Sequence, residues 1–209
     1  MSRTSYLTVS RVGGVEIEIK RSRFIGHVER VATEDEARAV VDRIRKQAWD
    51  ARHHCSAFVL GPAGEAQRSN DDGEPSGTAG APMLEVLRGR EVSDVVAVVT
   101  RYFGGVLLGA GGLVRAYSEA VRAALEEAGT RERRLSARYD VAAEHADAAR
   151  LENELRARGV TVLGVDYAER ALLHVAVPAE EAGGFDDLLA GLTGGASAAE
   201  PRGEEWVDT

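Results

Sequence analysis

The chain has 209 residues, 44% of them apolar, one cysteine and a formal net charge of −8. That length holds one large or two small domains and buries roughly 70% of the unfolded surface, so no covalent staple is required. The lone Cys55 excludes an internal disulfide and a multi-cysteine metal centre and suits a reducing, cytoplasmic setting; no signal-like segment is expected at the N-terminus, and no apolar run of about 18 residues exists to span a membrane.

The acidic balance argues against a uniformly basic nucleic-acid binder. The charge is uneven, however. Residues 1–134 carry 20 Lys and Arg against 19 Asp and Glu, a net of +1, and residues 135–209 carry 6 against 15, a net of −9. A near-neutral first part can still present a basic face. The acidic remainder is a poor phosphate binder; it suits a basic protein surface or a plain solvated exterior.

Val15, Ile17 and Ile19 alternate with Glu16, Glu18 and Lys20, which predicts a half-buried strand. Arg21-Ser22-Arg23 breaks it, and Phe24 to Val28 resumes as its partner. Lys20, Arg21 and Arg23 cluster at the break, as a phosphate contact or as ordinary surface cations. Thr33-Glu34-Asp35-Glu36 has the form of a capping box, opening a helix to about Ala48 with Ala37, Val40, Val41, Ile44 and Ala48 on its buried stripe. A strand follows from Ala57 to Leu60. Just before it, His53 and His54 point to opposite sides of an extended segment and so do not share one metal easily. One of them, beside an acidic loop, is a candidate for acid–base chemistry. Cys55 reads as a small packed residue.

The most specialised stretch is 70–118, NDDGEPSGTAGAPMLEVLRGREVSDVVAVVTRYFGGVLLGAGGLVRAYS. Residues 61–82 hold no apolar side chain larger than Ala or Pro and read as a long loop of functional type. Asp71, Asp72 and Glu74 are candidate Mg²⁺ or turn-forming carboxylates, with Ser76 and Thr78 as neighbouring polar contacts. Pro82 suits the first turn of a short helix over Met83–Leu87. Asp94–Phe103 predicts a strand buried on both faces. Arg101 and Tyr102 lie at its end, before Gly104, Gly105, Gly109, Gly111 and Gly112. A helix then starts near Leu113. A glycine-rich turn feeding a helix N-terminus is a candidate anion or phosphate site, flanked in sequence by Arg101 and Arg115; the same glycines equally permit close helix–strand packing. The Walker pattern fails because Ala110 stands where Lys is required, and the dinucleotide fingerprint fails at Val114.

Gly129 suits a helix C-cap, and Arg131-Glu132-Arg133-Arg134 reads as an exposed linker, dividing the chain into 1–132 and 133–209. Beyond it the order is strand (137–142), helix (146–158), strand (160–167), strand (171–177), helix (179–192) and a weak last strand (196–206). That β-α-β-β-α-β order predicts a small ferredoxin-like unit.

DDGEPSGTAGAP followed by VVTRYFGGVLLGAGGLVRAYS resembles the signature of the YigZ/Impact family, and RSRFIGHV and HHCSAFVLG fit the same pattern. The likeness runs from about Ser22 to Ser118, and the remainder fits the second domain of the bacterial members in length and element order. The resemblance implies an α/β (α+β) chain whose first domain is a two-layer α/β sandwich of the Impact type, ribosomal-protein-like. It implies a cytosolic protein of translation control, acting through ribosomes, RNA or a translation factor, with no settled enzyme activity and no cofactor. The competing expectation is an enzyme acting on a phosphorylated small molecule or nucleotide, with Gly104–Gly112 as the phosphate site.

Overall fold

A computed structural model describes residues 3–209 and divides them into two compact units, Tyr6–Glu132 and Arg133–Thr209, the latter with residues 3–5. No helix among the described residues is long and apolar enough to cross a membrane.

The first unit is built on a five-stranded antiparallel sheet in the order β2–β3–β6–β4–β5: β2 (Gly13–Ile19), β3 (Ser22–Arg30), β6 (Val95–Tyr102), β4 (His53–Leu60) and β5 (Ala66–Asn70). β6 is central because both its faces are apolar. Val95, Ala97 and Val99 enter one core with Cys55, Ala57 and Val59; Val96 and Val98 enter another with Phe58 and Leu60. The first core is covered by α2 (Gly80–Gly89) and α3 (Ala110–Ala128). The second is covered by α1 (Glu34–Gln47), which contributes Ala37, Val40 and Ile44. The sandwich thus has helices on both faces of its sheet. The first strand, β1 (Ser5–Val9), is held beside the entry to β6, where Ser93 N–H donates to Leu7 O (2.8 Å) and the Tyr6 hydroxyl to Asp94.

Local chemistry sets several boundaries. The Thr33 hydroxyl accepts from Glu36 N–H (3.2 Å), which is half of the capping box, while the Glu36 carboxylate reaches one residue past the N-cap to Ala32 N–H (2.6 Å). Gly129 caps α3 with φ +65°. The segment 61–82 is not one long loop: β5 lies within it, paired antiparallel with β4 from Ser56↔Asn70 to Leu60↔Ala66. β5 is a half-covered edge strand with exposed side chains, so backbone pairing rather than apolar alternation defines it. α2 also extends beyond Met83–Leu87 at both ends, with Pro82 in its first turn. α3 begins three residues before Leu113, because glycines without side chains still complete a helical turn.

The second unit has β7 (Thr130–Ala143), α4 (His145–Ala157), β8 (Thr161–Tyr167), β9 (Ala171–Pro178), α5 (Phe185–Thr193) and β10 (Ala199–Asp208). The strands lie in the order β10–β7–β9–β8, all antiparallel, which is the ferredoxin-like arrangement. Leu151, Leu155, Phe185 and Leu189 pack on Val141, Leu173 and Val175. Residues 131–134 are strand rather than exposed linker. β10 pairs there, Trp206 with Leu135, Val207 with Arg134 and Asp208 with Arg133, and the Arg133 guanidinium meets Asp208 at 3.2 Å.

Candidate functional site

The loop from Asp71 to Gly80 is organised by one carboxylate. Asp71 accepts from the backbone N–H groups of Gly77 (2.8 Å), Ala79 (3.1 Å) and Gly80 (2.8 Å). Burial opposes its ionisation, but these three amides outweigh that and hold its carboxyl below the usual range. Asp72 accepts from His54 N–H (2.7 Å) and from Arg45 (2.9 Å). The Thr78 hydroxyl donates to Pro75 O (2.6 Å), and Ser76 stays exposed.

Glu74 turns the other way, into the core. A single oxygen of its carboxylate accepts from Arg101 (2.7 Å) and from the Tyr117 hydroxyl (2.7 Å), joining the loop to β6 and α3. Arg101 is only 7% exposed, and its guanidinium lies 5.4 Å from the Phe24 ring centroid and 5.6 Å from that of Phe103. Its Nε is buried without a hydrogen-bond partner. Alternation explains this inward position: Arg101 follows Val95, Ala97 and Val99 on one side of β6. It is therefore an interior ion-pair member and is not free to meet a phosphate. Cys55 lies beside this network, its thiol donating to Asp71 O (3.0 Å), and burial pushes the thiol up to about 12. Burial likewise raises Tyr117.

The two histidines do face opposite ways. His53 Nδ1 meets Asp72 O (2.8 Å), and His54 Nδ1 meets the Thr100 hydroxyl (3.0 Å). Burial depresses His54, keeping its imidazole neutral near pH 7. Asp71, Asp72 and Glu74 send their carboxylates to separate partners and do not converge on one point. The glycine-rich turn has a structural task at Gly104. A Cβ there would overlap the carbonyl of Arg21, and Gly104 N–H donates to the hydroxyl of buried Ser22 (3.1 Å). The turn is thus packed against the β2–β3 hairpin.

That hairpin is unusual. Ile19 pairs with Ser22, leaving Lys20 and Arg21 as a two-residue turn with φ +49° and +67°. Such turns favour Asn-Gly because both residues are left-handed, and each non-glycine residue there costs about 1–2 kcal/mol. Both side chains are exposed and make no hydrogen bond or ion pair among the described residues. Next to them, Arg23 forms a two-pronged pair with Glu16 (2.7 and 2.9 Å) and lies 5.1 Å from the Tyr102 ring centroid. The Tyr102 hydroxyl donates to Asp50 (2.9 Å), which follows Trp49, 81% exposed. Phe103 is 50% exposed and Leu107 82%. One end of the sheet therefore gathers Lys20, Arg21, Arg23, Trp49, Tyr102 and Phe103.

Past Gly105, the first turn of α3 holds Ala110, Gly111 and Gly112, whose N–H groups precede the first intrahelical bond, from Leu113 to Gly109. Arg115 is exposed on the same helix, without a hydrogen bond or ion pair to the hairpin among the described residues. Sequence reasoning singled out Lys20 and Arg23 but missed Trp49. Its signal was a bulky ring in a turn outside the apolar stripe of α1.

The chain matches the family model described as Impact N-terminal domain over residues 20–125 and a Domain of unknown function (DUF1949) over 141–196. It is 46% identical to the "IMPACT family member YvyE" of Bacillus subtilis, covering 92% of this chain and 89% of the relative. It is 40% identical to the "IMPACT family member YigZ" of Escherichia coli, over 85% and 88%. A crystal structure titled only as that of a hypothetical protein superposes with a TM-score of 0.65 at 37% identity, covering 98% of this chain and all of the other. Weaker likeness, 32% identity over 46% of this chain, extends to the "Protein IMPACT" of Oryctolagus cuniculus. With a family model matching half the chain, and relatives this similar along nearly all of it, the chain belongs to the IMPACT family.

Proposed function

We propose that the protein is a translation-associated binding protein of the cytoplasm that docks on the ribosome and contacts its RNA through the first unit. The observation that carries this reading is the end of the first sheet, where solvent-exposed rings share the site with Lys20 and Arg21, which have no carboxylate partner among the described residues. Unpaired guanidinium and ammonium groups are what a phosphate backbone neutralises. The groups with catalytic potential are engaged otherwise: Glu74 on Arg101 and Tyr117, Asp71 on loop amides, Cys55 as a protonated thiol. Translation control is also what the motif resemblance implies.

The test is co-sedimentation with ribosomes across a salt series, comparing wild type with Lys20→Ala and Arg21→Ala, the two cations of the hairpin turn. Both residues are exposed, so both variants melt like the parent. Association that weakens with salt, and weakens further in either variant, supports the reading. A wild-type protein that stays in the supernatant at low salt sinks it. Arg101→Ala is unsuitable, because it strips the partner from buried Glu74.

A further inference from the structure

We infer that the Lys20–Arg21 turn, with Trp49 and Phe103, is a contact point for single-stranded RNA. This deepens the ribosome reading and rests on it for biological setting, but it stands on separate observations. The turn takes a left-handed conformation at two residues that disfavour it, where Asn-Gly would relax the backbone. Strain that the surroundings hold in place marks a site where the side chains matter. Here the surroundings are Gly104, packed on the Arg21 carbonyl, and Ser22, fully buried and bonded to Gly104. The side chains so displayed are two cations without partners among the described residues.

The rings decide the class of ligand. Trp49 is 81% exposed, and its neighbour Asp50 is fixed by the Tyr102 hydroxyl. Phe103 follows Tyr102 directly and has the Arg101 guanidinium near its ring. Rings beside cations suit unpaired bases that stack while their phosphates meet Lys and Arg. Paired bases in an RNA duplex offer no such faces. A protein partner would rely on the aliphatic tip, Val106 and Leu107. The strained backbone instead displays the cations, so RNA is the better fit.

The decisive variant is Lys20→Asn with Arg21→Gly, in the full-length protein. It removes both charges while improving the turn, so it melts at or above wild type and a binding loss is not a folding loss. The probe is a labelled 12-nucleotide uridine RNA, titrated from 50 to 300 mM salt. The double variant binds more weakly, and the slope of log affinity against log salt falls by about 1.4, two phosphates at about 0.7 each. Trp49→Ala weakens binding about 5- to 150-fold, the range for one lost stacked base, with the slope unchanged. Unchanged affinity and slope in the double variant overturn the inference. So does equal binding of a 12-base-pair RNA duplex, or displacement of the probe by polyglutamate, which would assign the turn to an acidic protein. Ribosome association without binding of the uridine probe overturns this inference alone. Binding of the probe without ribosome association overturns the ribosome reading alone.

Discussion

Glu74 is the residue on which the signature loop hangs. It accepts from Arg101 and Tyr117 in a place where water does not reach, with the side chains of Glu74 and Arg101 only 3% and 8% exposed. Removing one partner from a buried pair strands the other charge, at a cost of about 3–5 kcal/mol. Glu74→Gln keeps an acceptor for the Tyr117 hydroxyl and leaves Arg101 uncompensated. The expected loss is in that range by urea denaturation. Adding Arg101→Met removes the stranded cation and restores part of the loss, so the double-mutant cycle is non-additive. A strictly additive result would show that the pair does not couple. Cys55 makes a second test at this scale. A thiol pushed up to about 12 is almost wholly protonated at pH 8 and is enclosed by the core. Aromatic disulfide reagents should label it only at the rate at which the unit opens, and urea should bring that rate to that of a free thiol. Fast labelling of the native protein would contradict the packing.

The helix α3 depends on small residues beneath it. At Gly26 on β3, a Cβ would overlap the backbone carbonyl of Ala120, so helix and sheet meet backbone to backbone. Gly26→Val must push the helix away. Overpacking of this kind costs about 1–3 kcal/mol, a lowering of the melting temperature by roughly 2–12 °C at this chain length. An unchanged melting temperature would mean that α3 is not seated as described. The same contact shows what was legible in advance. The apolar run of β6 and the stripe Leu113, Tyr117, Ala120, Val121 and Ala124 announce a central strand and a covering helix, because burial writes itself into periodicity. The capping box at Thr33 and the βαββαβ order of the second unit were equally readable. β5 was not, because an edge strand with exposed side chains owes its existence to a partner distant in sequence. Residues 131–134 have the sequence of a linker for a related reason: their pairing partner is the C-terminal strand. At the candidate site, the sequence points to Lys20 and the acidic loop. It cannot tell an Arg101 that faces solvent from one that faces Glu74 across 27 residues, nor reveal that Gly104 serves the hairpin rather than an anion.

The two units should respond to pH with opposite signs. In the second unit, His174 on β9 bridges Asp140 on β7 (2.6 Å) and Asp166 on β8 (3.1 Å), and Arg202 on β10 also meets Asp140 (2.6 Å). The hydrogen bonds to Asp140 and then Asp166 raise His174 above its ordinary 6.5. The folded unit then holds a proton that the unfolded chain releases. Its contribution to stability is complete below about pH 6.5 and is lost as the pH rises through the raised value. In the first unit, burial lowers His54 below 6.5, against the opposing pull of Asp72. There the unfolded chain binds the proton first, so stability is complete above about pH 6.5 and declines as the pH falls toward the depressed value. Hydrogen exchange read by mass spectrometry separates the two. After correction for intrinsic rates, peptides from β4 and β6 should gain protection from pH 5.5 to 7.5, while peptides from β7 and β9 lose it. His174→Gln should flatten the second trend and leave the first in place, since Gln keeps a hydrogen bond without a titrating proton. Parallel trends in both units would rule out this assignment of the two histidines.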